Sequence, residues 1–114
     1  MAHIEGVGVS GRMGNLLLWA GTATVAGGVA SVNPTEDGTP NGAAVFGTVI
    51  AVVVSGEANT GVLSAAPVGS LKTVSADRKT VTVNVMTGTV LGILGATILP
   101  APDGTKVHVV VVGY

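Results

Sequence analysis

Lys79-Thr80-Val81-Thr82-Val83-Asn84-Val85 alternates polar and apolar side chains from Thr80 onward. In an extended chain successive side chains point to opposite faces, so Val81, Val83 and Val85 share one face while Thr80, Thr82 and Asn84 share the other. A helix would scatter the same valines around its circumference. Valine and threonine are stiff at χ1 and fit a pleated surface. The segment predicts a β-strand buried on one side.

The same language extends in both directions. Toward the C-terminus, Val90 to Leu94 and Ala96 to Leu99 read as short strands. Pro102-Asp103-Gly104 is a tight turn into Thr105-Lys106-Val107-His108-Val109-Val110-Val111-Val112. A valine run of that kind at an open edge invites aggregation, so it is expected to lie centrally in a sheet or under a partner chain. Toward the N-terminus, Ala76-Asp77-Arg78 reads as a turn, with candidate strands at Ser70 to Val74 and Val62 to Ala65. Ala43 to Val54 is the longest apolar run, with apolar residues on both faces, and predicts a strand covered on both sides. Asn33 to Gly42 is rich in Pro, Asn, Asp and Gly and reads as a loop.

Further back, Val29 to Val32 is a short strand after a Gly27-Gly28 turn. Gly21 to Ala26 alternates, with Ala23 and Val25 on one face. Leu16 to Trp19 is a short apolar run expected to form the first strand, with Trp19 in the core. Residues 1–15 are Gly-rich and weakly patterned, and read as an arm or irregular edge segment before a domain spanning 16–114. About eight short strands with turn signals every 8–12 residues predict an all-β fold, a small antiparallel β-sandwich or barrel of jelly-roll-like character.

Composition bounds the function. The chain has 114 residues, enough for one domain. Charged residues are 10% of it, against roughly 25% in a typical soluble domain. The net charge of −1 offers no basic excess for a phosphate backbone, so no nucleic-acid partner is expected. With no Cys there is neither a disulfide framework nor a thiolate metal site. Met13 to Thr35 and Thr80 to Pro102 are uncharged and long enough to span a bilayer, but their Thr and Gly punctuation is that of strands, so no membrane partner is expected. The N-terminus, Met1-Ala2-His3-Ile4-Glu5-Gly6, lacks the basic and apolar regions of a secretory signal.

No motif carries a convincing chemistry. Gly6-Val7-Gly8-Val9-Ser10-Gly11 matches the dinucleotide-binding spacing but has no strand before it and no helix after it. Glu36 and Asp37, with Asn33 and Asn41, offer oxygen ligands at a spacing that fits no defined calcium loop and read as a solvated turn. Asp103 and His108 lack a nucleophile elbow or oxyanion loop, and His108 reads as a core or interface histidine. No enzymatic activity, cofactor or metal is expected. The Asp77-Arg78-Lys79 cluster reads as a hairpin tip.

Eleven charged side chains cannot cover a domain of this size. Surfaces poor in Lys and Glu lose little side-chain entropy on burial, and a near-neutral chain associates readily. The chain is therefore expected to work inside an assembly. Its contacts are expected at Ile4, Val7, Val9, Met13, Leu16, Val110, Val112 and Tyr114.

Three segments carry a resemblance: Gly21-Thr22-Ala23-Thr24-Val25-Ala26-Gly27-Gly28, the strand from Lys79 to Val85, and Thr105 to Gly113. Over about residues 21–114 the chain resembles the small β-sandwich modules of tailed-bacteriophage virion proteins, the head decoration (cement) proteins and fibre domains. The resemblance implies a non-enzymatic capsid-surface role, a homo-oligomer with a trimer favoured, and a major capsid protein or other virion subunit as partner. It implies synthesis in the host cytoplasm and residence at the virion surface. The alternatives are a fibre-type or surface module recognising glycans or another protein, and a self-assembling fibrous protein. One Trp and one Tyr leave little aromatic surface for sugar stacking.

Overall fold

Strand β6, Val81–Val90, organises one of two antiparallel sheets. The computed structural model describes residues 9–56, 68–90 and 96–114, in which every regular element is a strand. Sheet B has β3 (Val29–Val32), β6 and β5 (Val68–Val74) in that order. β7 (Ala96–Pro100) also pairs with β6. Sheet A has the order β1 (Val9–Met13), β2 (Leu16–Thr24), β8 (Lys106–Gly113), β4 (Val49–Gly56). The protein is a small all-β sandwich, and β6 has the one-sided burial expected from the alternation up to Val85.

The core lies between the sheets. Val81, Val83 and Val85 of β6 face Val107, Val109 and Val111 of β8, and none of the six exceeds 1% exposure. Trp19, Ala23, Val25, Ala30, Val32, Phe46, Val54 and Ala101 complete it. Full burial of each such valine contributes about 1.5–3 kcal/mol before conformational entropy is subtracted. Trp19 takes the space over Gly21, where any β-carbon would run into the indole ring.

The chain crosses between sheets at Val25 to Gly28. Gly27 and Gly28 both have positive φ, at 62° and 77°, which other residues adopt only under strain. A second loop fastens this corner. The Gly27 N–H donates to Asp103 Oδ1 at 2.8 Å, and the Gly104 N–H donates to the Val25 carbonyl at 2.9 Å. β3 and β7 lie end to end along one edge of β6 and meet at Val85. The Val85 N–H donates to the Gly28 carbonyl and the Val85 carbonyl accepts from Ala101, both at 2.9 Å.

Several sequence expectations change. The arm assigned to residues 1–15 contains a regular strand, since β1 pairs with β2 from Val9↔Ala20 to Met13↔Leu16. A two-residue Gly14-Asn15 turn closes that hairpin, with Gly14 at φ 62°. Leu16 to Trp19 and Gly21 to Thr24 form one strand, because Gly21 is paired with Val109 rather than turning. The apolar run from Ala43 to Val54 is strand only from Val49 onward, and β4 continues to Gly56. Its first half is irregular and anchored by buried Phe46, with Val45 donating to the Pro34 carbonyl at 3.0 Å. Nor is β4 covered on both sides within the chain: it lies at the edge of sheet A, with Ile50 and Val53 more than half exposed. The valine-rich β8 is central, between β2 and β4. The strand expected at Val62 to Ala65, and Leu91 to Leu94, lie outside the described residues.

Candidate interface on the outer face of sheet A

In β2 and β8 the odd-numbered residues point into the core, so the even-numbered ones point outward. Pairing aligns these outward residues in rows across the sheet. Leu18 is opposite Val112, which is opposite Ala51. Ala20 is opposite Val110, which is opposite Val53. Leu16, 40% exposed, and Tyr114, 61% exposed, stand at the same end of the sheet. A bulge between Val49 and Ala51 leaves Ile50 outside as well.

The next rows are polar. Thr22 is opposite His108, which is opposite Ser55, and Thr24 is opposite Lys106. The Lys106 ammonium reaches across to Thr24 Oγ1 at 2.8 Å. The outer face of sheet A therefore has an aliphatic half and a hydroxyl, imidazole and ammonium half, graded along the strand direction. Contiguous exposed aliphatic area is a character shared by protein–protein, membrane and ligand-contact surfaces.

The contact residues expected from the sequence divide as follows. Leu16, Val110, Val112 and Tyr114 gather on this face. Val9 and Met13 hold register positions opposite Ala20 and Leu16 in β1, the strand beside it. Ile4 and Val7 lie outside the described residues. Leu18, Ala51 and Val53 were not anticipated. Leu18 lay in an apolar run read as the first strand, of which only Leu16 was expected at a contact and Trp19 in the core, and the outward position of Val53 depends on the bulge that resets β4. His108, expected in a core or interface, is exposed on the polar half of the face.

The three aspartates serve the turns. Asp37 Oδ1 accepts the Thr39 hydroxyl at 2.9 Å and the Thr39 N–H at 3.1 Å. These bonds hold the Asp37 carboxyl below its ordinary value, the Thr39 hydroxyl contributing most. Asn33 turns away from this loop and donates to the Lys79 carbonyl at 3.0 Å and Thr80 Oγ1 at 3.1 Å, so the oxygen donors considered for calcium are not gathered. Asp77, in the turn between β5 and β6, accepts the Ser75 hydroxyl at 2.6 Å and the Lys79 N–H at 3.1 Å, which lowers its pKa as well. Arg78 at the tip has φ 59°. Asp103 is engaged with Gly27 in the loop before β8, while His108 stands on the outer face of sheet A. Among the described residues no three His, Asp or Glu side chains are grouped so as to hold a metal ion, and no helix is long and apolar enough to cross a membrane.

Comparison with known proteins finds no family model that matches the chain, no similar curated protein and no solved structure with a matching fold.

Proposed function

We propose that the protein is a non-enzymatic structural subunit of a virion, a decoration protein that binds a capsid shell as a homo-oligomer, with a trimer favoured. The observation that carries this reading is the aliphatic half of the outer face of sheet A, formed by Leu16, Leu18, Ala20, Ala51, Val53, Val110 and Val112. Burial of such area contributes roughly 25 cal/mol per Å2, from which the entropy of association is subtracted. The low charge of the chain and its resemblance to phage virion modules support the same reading. A glycan-recognising module is less well supported, because Trp19, the strongest stacking residue available, is inside the core.

Light scattering at low and high ionic strength tests the oligomer. Aliphatic contacts are not screened by salt, so the oligomer should persist at high ionic strength. A monomer at micromolar concentration would remove the assembly claim, and dissociation by salt alone would remove its proposed cause. Co-sedimentation with assembled capsid particles tests the shell. Decoration requires saturable binding, and its absence would leave an oligomer without the virion role.

A further inference from the structure

Among the described residues six have positive φ, namely five glycines and Arg78 at 59°. The left-handed region carries a steric penalty for any residue with a β-carbon, which glycine escapes. The turn does not require an arginine there. The Arg78 N–H donates to the Ser75 carbonyl at 2.9 Å, the Ser75 N–H to the Thr80 carbonyl at 2.9 Å, and the Lys79 N–H to Asp77 Oδ1 at 3.1 Å. A glycine at position 78 would keep all three bonds. Bulky residues held in this conformation are outliers, and such strain concentrates at functional sites.

Arg78 lines a groove of about 310 Å3 between the entry to β4, Gly47 to Val49, and the β5–β6 turn, Val74 to Ala76. It is the one charged residue of that lining. Donors beside it are already committed. The Gly47 and Thr48 N–H groups both donate to the Tyr114 carbonyl at 2.8 Å. The Ser75 hydroxyl donates to Asp77 Oδ1 at 2.6 Å and accepts the Thr80 N–H at 3.0 Å. Asp77, the adjacent carboxylate, is thereby occupied, and among the described residues Arg78 has no ion pair. Five N–H donors in a planar fork are left for a ligand.

We propose that Arg78 and this groove bind a carboxylate, the aspartate or glutamate side chain of a polypeptide partner. A guanidinium pairs with a carboxylate through two parallel N–H bonds, and a single cation balances a single negative charge rather than a phosphate dianion. The volume lies at the lower limit of ligand sites, enough for an acidic side chain and its backbone but not for a nucleotide or an oligosaccharide. The groove opens at the end of sheet A where Ile50 and Tyr114 are more than half exposed, so a chain lying over the aliphatic half reaches it. The choice of a polypeptide rests on the reading of that half as a covered surface. The carboxylate contact itself needs neither an oligomer nor a shell.

NMR titration of the intact protein with a blocked Gly-Glu-Glu-Gly peptide, with acetate and with inorganic phosphate tests the site. The peptide should shift the Thr48, Ser75 and Ala76 amides saturably, with a Kd on the order of 1 mM that rises with salt. Arg78→Gly and Arg78→Asn, both compatible with positive φ, should weaken binding at least about fivefold, and Arg78→Lys should retain part of it. Arg78→Gly should also raise the folded-to-unfolded ratio about fivefold in denaturant unfolding, because the strain goes and no structural contact is lost. A less stable Arg78→Gly would show that the side chain holds the turn and would overturn the proposal. Peptide shifts that are absent, or unchanged in Arg78→Gly, would overturn it too. Phosphate binding as tight as the peptide would remove the carboxylate, and acetate binding as tight would remove the polypeptide as its source. Failure of the covered-surface reading appears separately, as a protein that is monomeric yet binds the peptide.

Discussion

β6 and β8 are the central strands of their sheets, and their inward faces are nearly the same. Val81, Val83 and Val85 are matched by Val107, Val109 and Val111, all within 1% of full burial. Their outward faces differ. β6 presents Thr82, Asn84 and Met86; Ser31 Oγ lies 2.9 Å from Thr82 Oγ1 in a polar ladder continued by Thr73 and Ser70 of β5, and exposed Met86 is opposite exposed Val68. β8 presents His108, Val110 and Val112, with Ala20, Leu18, Val53 and Ala51 beside the valines. The inward sets build the sandwich. The outer face of sheet B is polar over Thr82, Asn84, Ser70 and Thr73 with Met86 and Val68 beyond them, whereas the aliphatic half of sheet A spans three strands, and it is this half that the proposed assembly covers.

The largest expected effect removes what the strands share. Val83→Asp and Val109→Asp each bury an unpaired charge and should cost about 4 kcal/mol or more, abolishing folding by circular dichroism. Equal damage at both sites is the expected result; tolerance at either would break the equivalence of the inward faces. The next effect separates the strands. Val110→Asp and Val53→Asp should leave the β spectrum intact and convert the oligomer to monomer by light scattering, while Asn84→Asp should change neither. An oligomer that tolerates Val110→Asp would show that the two outward faces do not differ in the proposed way.

A smaller effect concerns the loop that joins the sheets. Asp103→Ala removes the acceptor of the Gly27 N–H and should lower stability by about 1 kcal/mol in denaturant unfolding, without altering assembly. The smallest lies in the polar turns. The Asp37 pKa is depressed, so the Thr35–Thr39 loop is stabilised above the unfolded value of 3.8 and loses that contribution as pH falls through the lower folded value. Asp77 should behave likewise. Carboxyl titration by NMR should place both below 3.8, and Thr39→Ala should move Asp37 back up toward it.

The fold was legible wherever alternation was unbroken. Residues 81–85 state their inward face outright, the valine run from Val107 marks a strand that must be central or covered, and Asp77, Gly27-Gly28 and Pro102-Asp103-Gly104 mark the turns by residue type. β1 was missed because Gly11 and Arg12 hide its pattern, although Gly14-Asn15 between two extended segments is a two-residue hairpin signal. β4 was misread because an all-apolar run carries no period. Phe46 anchors an irregular segment and a bulge follows Val49, and neither interrupts the hydrophobicity. Of the outward residues of sheet A, Val110 and Val112 were among the contacts expected from the sequence, whereas Leu18, Ala51 and Val53 were not, because their outward positions depend on pairing with strands distant in sequence. Asp103 was read as a turn residue and weighed with His108 for catalysis, and its bond to Gly27 was missed because that partner is 76 residues away.

The central claim is that the outer face of sheet A is covered in the native assembly. The chain contains no cysteine, so single thiols report it cleanly. Val53 is 57% exposed in the isolated chain, and Ser70 is exposed on the outer side of sheet B. Maleimide labelling of Val53→Cys and Ser70→Cys, each at micromolar concentration under native conditions, compares the two faces directly. The account predicts prompt labelling of Ser70→Cys and strong protection of Val53→Cys, lifted when Val110→Asp is added. Prompt labelling of Val53→Cys at the rate of Ser70→Cys would contradict it.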